Sequence, residues 1–223
     1  MAAETPTPAA EPVVDEASLK KAEQFIEAEE GATHRFKGGW GTFLGLVAVA
    51  MSLYHLYAAY GIVTTNTLRY VHVGFMLFLV FTLFPATRGR RNRFSWIDLA
   101  LGLLGIVTVA YAILGGDDFQ DRSTMPNQVD LFMGVALVLL VLEAARRSTG
   151  WIMPFVCVLF IAYAMLGPYL GQPWTHRGYD LSRLVGHMYM TLEGIFGVPV
   201  DVSSSLIILF TIYGAFLQFS GAG

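Results

Sequence analysis

The chain has 223 residues, of which 55% are hydrophobic and 14% charged, with a formal net charge of −3 and a mean hydropathy of +0.55. An average soluble domain carries about 25% charged residues, so a soluble globular enzyme, a nucleic-acid binder and a disordered protein are all excluded. The charges also crowd into residues 1–39, which hold 12 of the 31, and no lysine follows Lys37.

Residues 1–16 are rich in Pro, Ala and Glu and read as disordered. They lack the basic start and apolar core of a secretory signal. Residues 17–30 are helix-prone, with Leu19, Ala22 and Ile26 on one face. Two roles stay open for them: a docking helix on the membrane surface, or a frayed tail. Residues 1–39 are therefore read as an acidic cytoplasmic tail.

A bilayer core of about 30 Å needs about 20 apolar residues in a helix. Six stretches meet or approach this: Trp40–Tyr60, Leu68–Phe84, Trp96–Leu114, Val129–Arg146, Trp151–Leu166 and Val202–Phe219. Pro85 stops the second, and Gly115-Gly116 ends the third. Ser95-Trp-Ile-Asp98 and Asn127-Gln-Val-Asp130 predict capping boxes for the third and fourth. Pro154 falls in the first turn of the fifth, where a missing N–H is harmless. Asp201 can cap the sixth.

Residues 181–197 form a separate case. Leu181, Leu184, Val185, Met188 and Leu192 make one apolar face, opposite Arg183, His187 and Thr191. That pattern predicts an amphipathic helix lying in the interface. If it lies flat, the C-terminal end is cytoplasmic; if it crosses, the sixth span inverts. The expected fold class is an all-α integral membrane protein, with about six transmembrane helices plus this interfacial helix.

Arginines set the expected orientation. Arg88, Arg90, Arg91 and Arg93 separate spans two and three, and Arg146 and Arg147 separate spans four and five. Both loops are expected in the cytoplasm, with the N-terminus. Asp117, Asp118 and Asp121 outnumber Arg122 in the third loop, which is expected outside. Trp40, Trp96 and Trp151 then share the cytoplasmic interface as an aromatic belt.

An ionisable residue at membrane depth points to function, but most of those here have plainer roles. Asp98 and Asp130 sit at third helical positions, where the helix dipole favours a carboxylate. Glu143 can pair with Arg146 and Arg147 one turn on. Glu193 is an interface charge or a contact awaiting a partner. His55 and His72 fall at one depth, roughly 6–8 Å below the outer surface. They could ligate a haem, relay protons or hydrogen-bond a neighbouring helix. Gly41-Thr-Phe-Leu-Gly45 fits a close helix contact. Ser203, Ser204 and Ser205 suit packing or a polar path. Cys157 has no partner for a disulfide. No motif of an enzyme is present, and no resident cofactor or metal site is expected.

Several segments of the second half occur in a telling order. Glu143-Ala-Ala-Arg-Arg-Ser-Thr-Gly-Trp151 precedes Leu166-Gly-Pro-Tyr-Leu170. Then follow His176-Arg-Gly-Tyr-Asp-Leu-Ser-Arg-Leu184, Thr191-Leu-Glu-Gly-Ile-Phe-Gly-Val-Pro199 and Tyr213-Gly-Ala-Phe-Leu-Gln-Phe-Ser-Gly-Ala-Gly223. This succession resembles the fused permease of tripartite ATP-independent periplasmic (TRAP) transporters, of the type served by TAXI binding proteins. The resemblance covers residues 143–223; over 40–142 it rests on the number and layout of spans.

The resemblance implies a bacterial inner-membrane secondary transporter for organic anions, often carboxylates, driven by a sodium or proton gradient. It implies a periplasmic solute-binding protein as partner, with no role for nucleic acid. Residues 40–147 would be the four-span, small-subunit-like scaffold, and 148–223 the start of the large-subunit-like permease. The family continues past this point into re-entrant hairpins with the substrate and ion sites. The chain is therefore expected to be a fragment without a substrate site, needing the remaining transport domain. Trp174, Arg177 and Asp180 are candidates for docking the binding protein. The alternative expectation is a haem-binding anchor subunit of a redox complex, using His55 and His72.

Overall fold

The computed structural model describes residues 15, 17–21, 36, 38–87 and 95–221. The readings on residues 1–14 and 22–35, together with the arginines of 88–93, lie outside the described residues. Residues 17–21 are helical, as the start of the predicted 17–30 helix requires.

Every regular element among the described residues is helical. Five long helices run in order: α1 (Gly39–Tyr60), α2 (Thr65–Leu83), α3 (Trp96–Asp121), α4 (Gln128–Thr149) and α5 (Ile152–Leu166). A short helix α6 (Leu181–Val185) continues as a π-helical turn, Gly186–Met190. The last helix, α7, covers Val198–Ser220 with a π-helical stretch at Ser203–Ile207. Six helices are long and apolar enough to cross a membrane, so this is an all-α, multi-pass membrane protein.

The helix ends follow local chemistry. Thr64 caps α2 by accepting from the Thr67 N–H. At α4 the capping box is complete: Asn127 Oδ1 accepts from Asp130 N–H at 2.9 Å, and Asp130 accepts from Asn127 N–H at 2.9 Å. At α3 it is half-formed. Ser95 accepts from the Asp98 N–H, but the Asp98 carboxylate turns to Arg147 instead. The apolar part of α3 stops where the sequence predicted, since Gly116 adopts φ 53° and breaks the helical path. The turn that follows carries the acidic residues 117–121. Gly150, at φ 86°, turns α4 into α5. That left-handed backbone region suits glycine, which has no Cβ to clash.

The tightest contact is the antiparallel α2–α3 pair. Gly102 and Gly105 leave room for Phe78 and Leu77, and Gly74 faces Val109. Small residues let membrane helices approach closely where no hydrophobic effect drives them together. By contrast, among the described residues the Gly41–Gly45 pattern meets no second helix. A Cβ on Gly45 would meet nothing within 4 Å, and Gly41 faces its own chain at Phe36.

The principal difference from the sequence reading is residues 181–197. They form a short helix and a π-helical turn packed into the bundle rather than one long amphipathic helix. Val185, Tyr189, Met190 and Phe196 are buried in one core with Phe81, Val109, Phe119 and Leu137. Two features draw the segment inward. Gly134 on α4 leaves a notch that Val185 and Tyr189 fill, and Gly186 abuts the Ser123 backbone. Val185, Tyr189 and Met190 therefore face inward, while Leu181 at the start of α6 stays exposed. The Tyr189 hydroxyl reaches the Thr108 carbonyl, midway along α3. The segment enters and leaves on one side, because Asp201 of α7 meets Arg69 in the first turns of α2. The core thus runs across residue 147, the predicted border between regions.

Candidate functional site

Two ends of the bundle can be distinguished. One end holds the α1–α2 turn and the α3–α4 link, and the other holds Trp40, Trp96 and Trp151 at or near helix starts. Buried ionisable groups gather near both.

His55 on α1 and His72 on α2 meet near the first end. The sequence put them at one depth, and their side chains hydrogen-bond at 3.0 Å between His72 Nδ1 and His55 Nε2. His55 Nδ1 lies 2.7 Å from the Met51 carbonyl, and His72 Nε2 lies 3.1 Å from Ser203 Oγ on α7. A carbonyl only accepts, which fixes the direction of the chain when each imidazole carries one proton. His55 Nδ1–H donates to Met51, His72 Nδ1–H donates to His55 Nε2, and the Ser203 hydroxyl donates to His72 Nε2.

All four ring nitrogens are thereby engaged. This geometry does not fit a bis-histidine haem. An iron between two imidazoles would sit about 2 Å from each nitrogen, holding them roughly 4 Å apart with a macrocycle between. Here the facing nitrogens are 3.0 Å apart and bonded to each other. Among the described residues this hydrogen-bonded chain ends on the Met51 carbonyl, within α1 itself. What the arrangement does is join three helices.

One turn before His72, Arg69 extends the same junction. Its Nε donates to Asp201 at 3.0 Å and its Nη1 to the Phe196 carbonyl at 2.9 Å. Arg69 was not singled out from sequence, although a charge in the first turn of an apolar helix signals a buried partner. Asp201 does not cap α7, which begins earlier, at Val198. Ser204 and Ser205 donate to the Asp201 carbonyl and stay within their own helix.

A second junction holds the α3–α4 link. Asp130, fully buried, accepts from Arg122 Nε at 2.7 Å and Nη2 at 3.0 Å, and from the Tyr111 hydroxyl at 2.8 Å. With the Asn127 N–H, the carboxylate is saturated. The predicted capping role is correct, and it is one of three.

The third junction lies at the opposite end. Arg147 Nη1 meets Asp98 at 2.8 Å, its Nε meets Glu143 at 2.8 Å, and its Nη1 also donates to the Phe84 carbonyl. Arg146 grips both Glu143 oxygens at 2.7 Å, with Nε on Oε2 and Nη2 on Oε1, and donates to the Ala86 carbonyl. Glu143 therefore makes the predicted pairs within its helix. Arg147 additionally links the ends of α2, α3 and α4, with its guanidinium over Phe81.

The candidate docking residues sit on the stretch between α5 and α6. Trp174 and Arg177 are exposed, and Asp180 caps α6 by accepting from Arg183 N–H. Glu193 is exposed, 3.9 Å from His187 Nδ1. Cys157 faces outward from α5. No protein-family model, curated protein or solved structure matches the chain.

Proposed function

We propose that this chain is the scaffold part of a TRAP-type secondary transporter, together with the first helices of its large-subunit-like region. In this reading it sits in a bacterial inner membrane with its N-terminus in the cytoplasm. A periplasmic binding protein of the TAXI type delivers an organic anion, and a sodium or proton gradient drives uptake. Substrate and ion would be held by further membrane segments, not by residues 1–223.

One observation carries the scaffold role. The buried charges are spent on joining helices: Arg69 with Asp201, Arg122 with Asp130, and Arg147 with Asp98 and Glu143. A transport path at the midplane would instead need broken helices and polar groups turned toward the cargo. Long apolar surfaces remain on α5 and α7, where only 11% and 6% of the most apolar 18-residue window is buried within the bundle. They suit lipid or further membrane subunits. The ordered segments from 143 to 223 supply the link to the family.

The test is uptake of a radiolabelled organic carboxylate into proteoliposomes that hold the complete permease and its binding protein. A sodium or proton gradient is expected to drive uptake, and removing residues 40–147 is expected to abolish it. Unchanged uptake without those residues would overturn the scaffold role.

A further inference from the structure

We propose that His55 and His72 form a binding site for one proton, held between their rings and reached from the end of the bundle that carries the α1–α2 turn. The capacity follows from the hydrogens the junction can hold. Met51 offers a carbonyl, so His55 Nδ1 must carry a hydrogen. The facing nitrogens, 3.0 Å apart, need one hydrogen between them. Only His72 Nε2 has a choice, because its partner is a hydroxyl, which can donate or accept. With Ser203 donating, the paired rings carry no charge. With Ser203 accepting, they carry one extra hydrogen and one positive charge, and every hydrogen bond survives. A further hydrogen would set two N–H groups against each other at 3.0 Å. The step is protonation alone: His72 Nε2 gains a hydrogen, the Ser203 hydroxyl turns, and no other covalent bond forms or breaks. The hydrogen between the rings can then sit on either one, which spreads the charge over both. The bonds from the charged ring become charge-assisted, about twice as strong as neutral ones.

The surroundings suit a single added charge. Met51, His55 and His72 are buried, whereas Ser203 is half-buried, so its hydroxyl is the most accessible member of the junction. Arg69, one turn before His72, is matched by Asp201 at 3.0 Å, and that pair sets the register that brings Ser203 to His72. On α1 the Tyr54 ring lies edge-on to His55, with centroids 5.4 Å apart. On α2 Tyr70 packs against Phe196. Tyr111 of α3 gives its hydroxyl to Asp130 of α4, which Arg122 matches. Asp117, Asp118, Asp121, His187 and Glu193 are exposed. Among the described residues the added proton therefore meets no unmatched buried charge. Because the junction ends on the Met51 carbonyl, the proton is stored and not passed on. The site is independent of the transport reading.

The test is nitrogen NMR of the full chain in nanodiscs, with isotope-labelled histidine rings. The pair identifies itself by the nitrogen–nitrogen coupling across its shared hydrogen. As the pH falls from about 8 to about 4, the signals of both rings are expected to move together. They should do so in one step that adds one proton and keeps the coupling. Ser203→Ala removes the acceptor for the added hydrogen. It is expected to weaken proton binding about tenfold, which moves the midpoint about one pH unit toward acid. Ser203→Thr keeps the hydroxyl and is expected to restore the wild-type midpoint. The wild-type proton count needs no variant, so the test stands even where Ser203→Ala fails to fold. Rings that keep one hydrogen each across the whole range would overturn the site, as would uptake of two protons or loss of the coupling on uptake. An unmoved midpoint in Ser203→Ala would overturn the switch at the hydroxyl and leave the junction purely structural.

Discussion

His72 stands where three helices meet, and its two ring nitrogens hold one neighbour each. His72→Phe keeps the ring volume but strips the partner from both His55 and Ser203, which are buried or half-buried. A buried polar group left unpaired costs about 1–3 kcal/mol. Thermal unfolding in detergent should show that loss for His72→Phe and a smaller one for Ser203→Ala, which breaks a single bond. Equal stability of His72→Phe and wild type would mean that the junction contributes nothing. The equal depth of the two histidines was legible in the sequence, because counting residues from helix ends sets height along the membrane. Arg69–Asp201 was not legible, since its partners are 132 residues apart and each has a plausible local role. Arg147 was read as a loop charge for the same reason. Local spacing reveals Glu143, but only packing reveals Asp98.

Helix limits were read closely where a cap, a proline or a glycine marks them. The predicted Trp40–Tyr60 span is α1 from Gly39, and the predicted stop at Gly115-Gly116 is the break in α3. The continuous helix that periodicity predicted over 181–197 is instead a short helix, a π-helical turn and an irregular stretch. The observed π-helical turn changes which side chains share a face, and a hydrophobic pattern carries no sign of it. The notch at Gly134 is equally silent until the partner is known. Gly134→Leu should force the segment off α4, at a cost of about 1–3 kcal/mol for overpacking. Hydrogen–deuterium exchange should then report loss of protection around Tyr189 and Met190. Gly45→Ala provides the contrast, because nothing stands within 4 Å. It should leave stability equal or raise it by about 1 kcal/mol. A large loss would reveal a helix packed against the Gly41–Gly45 face.

At the scale of the whole molecule, composition alone identified the membrane as the solvent, and six apolar stretches became six long helices. What could not be read was how the last helix is oriented, since the amphipathic segment before it allowed either answer. The contact of Asp201 with Arg69 resolves this geometrically: α7 starts beside the start of α2 and runs alongside α1. The two ends of the described bundle, Gly38 and Gly221, should therefore face the same compartment. Single cysteines at these positions, in a Cys157→Ser background, should react with an impermeant maleimide from one side only. A cysteine at Met125, which is exposed in the α3–α4 link, should react from the other. Labelling of Gly38→Cys and Gly221→Cys from opposite sides would refute this topology.

The 132-residue separation of Arg69 and Asp201 also has a meaning in time. A ribosome adds about 5–20 residues per second, so the arginine waits roughly 7–26 s for its carboxylate to be synthesised. The Phe196 carbonyl arrives only five residues earlier than Asp201. Throughout that interval the guanidinium cannot settle in hydrocarbon and must stay at the watery rim, holding the first hairpin short of its final seat. The seat of the first two helices is thus completed by the start of α7. Translation must reach that helix before Arg69 can meet the groups it holds.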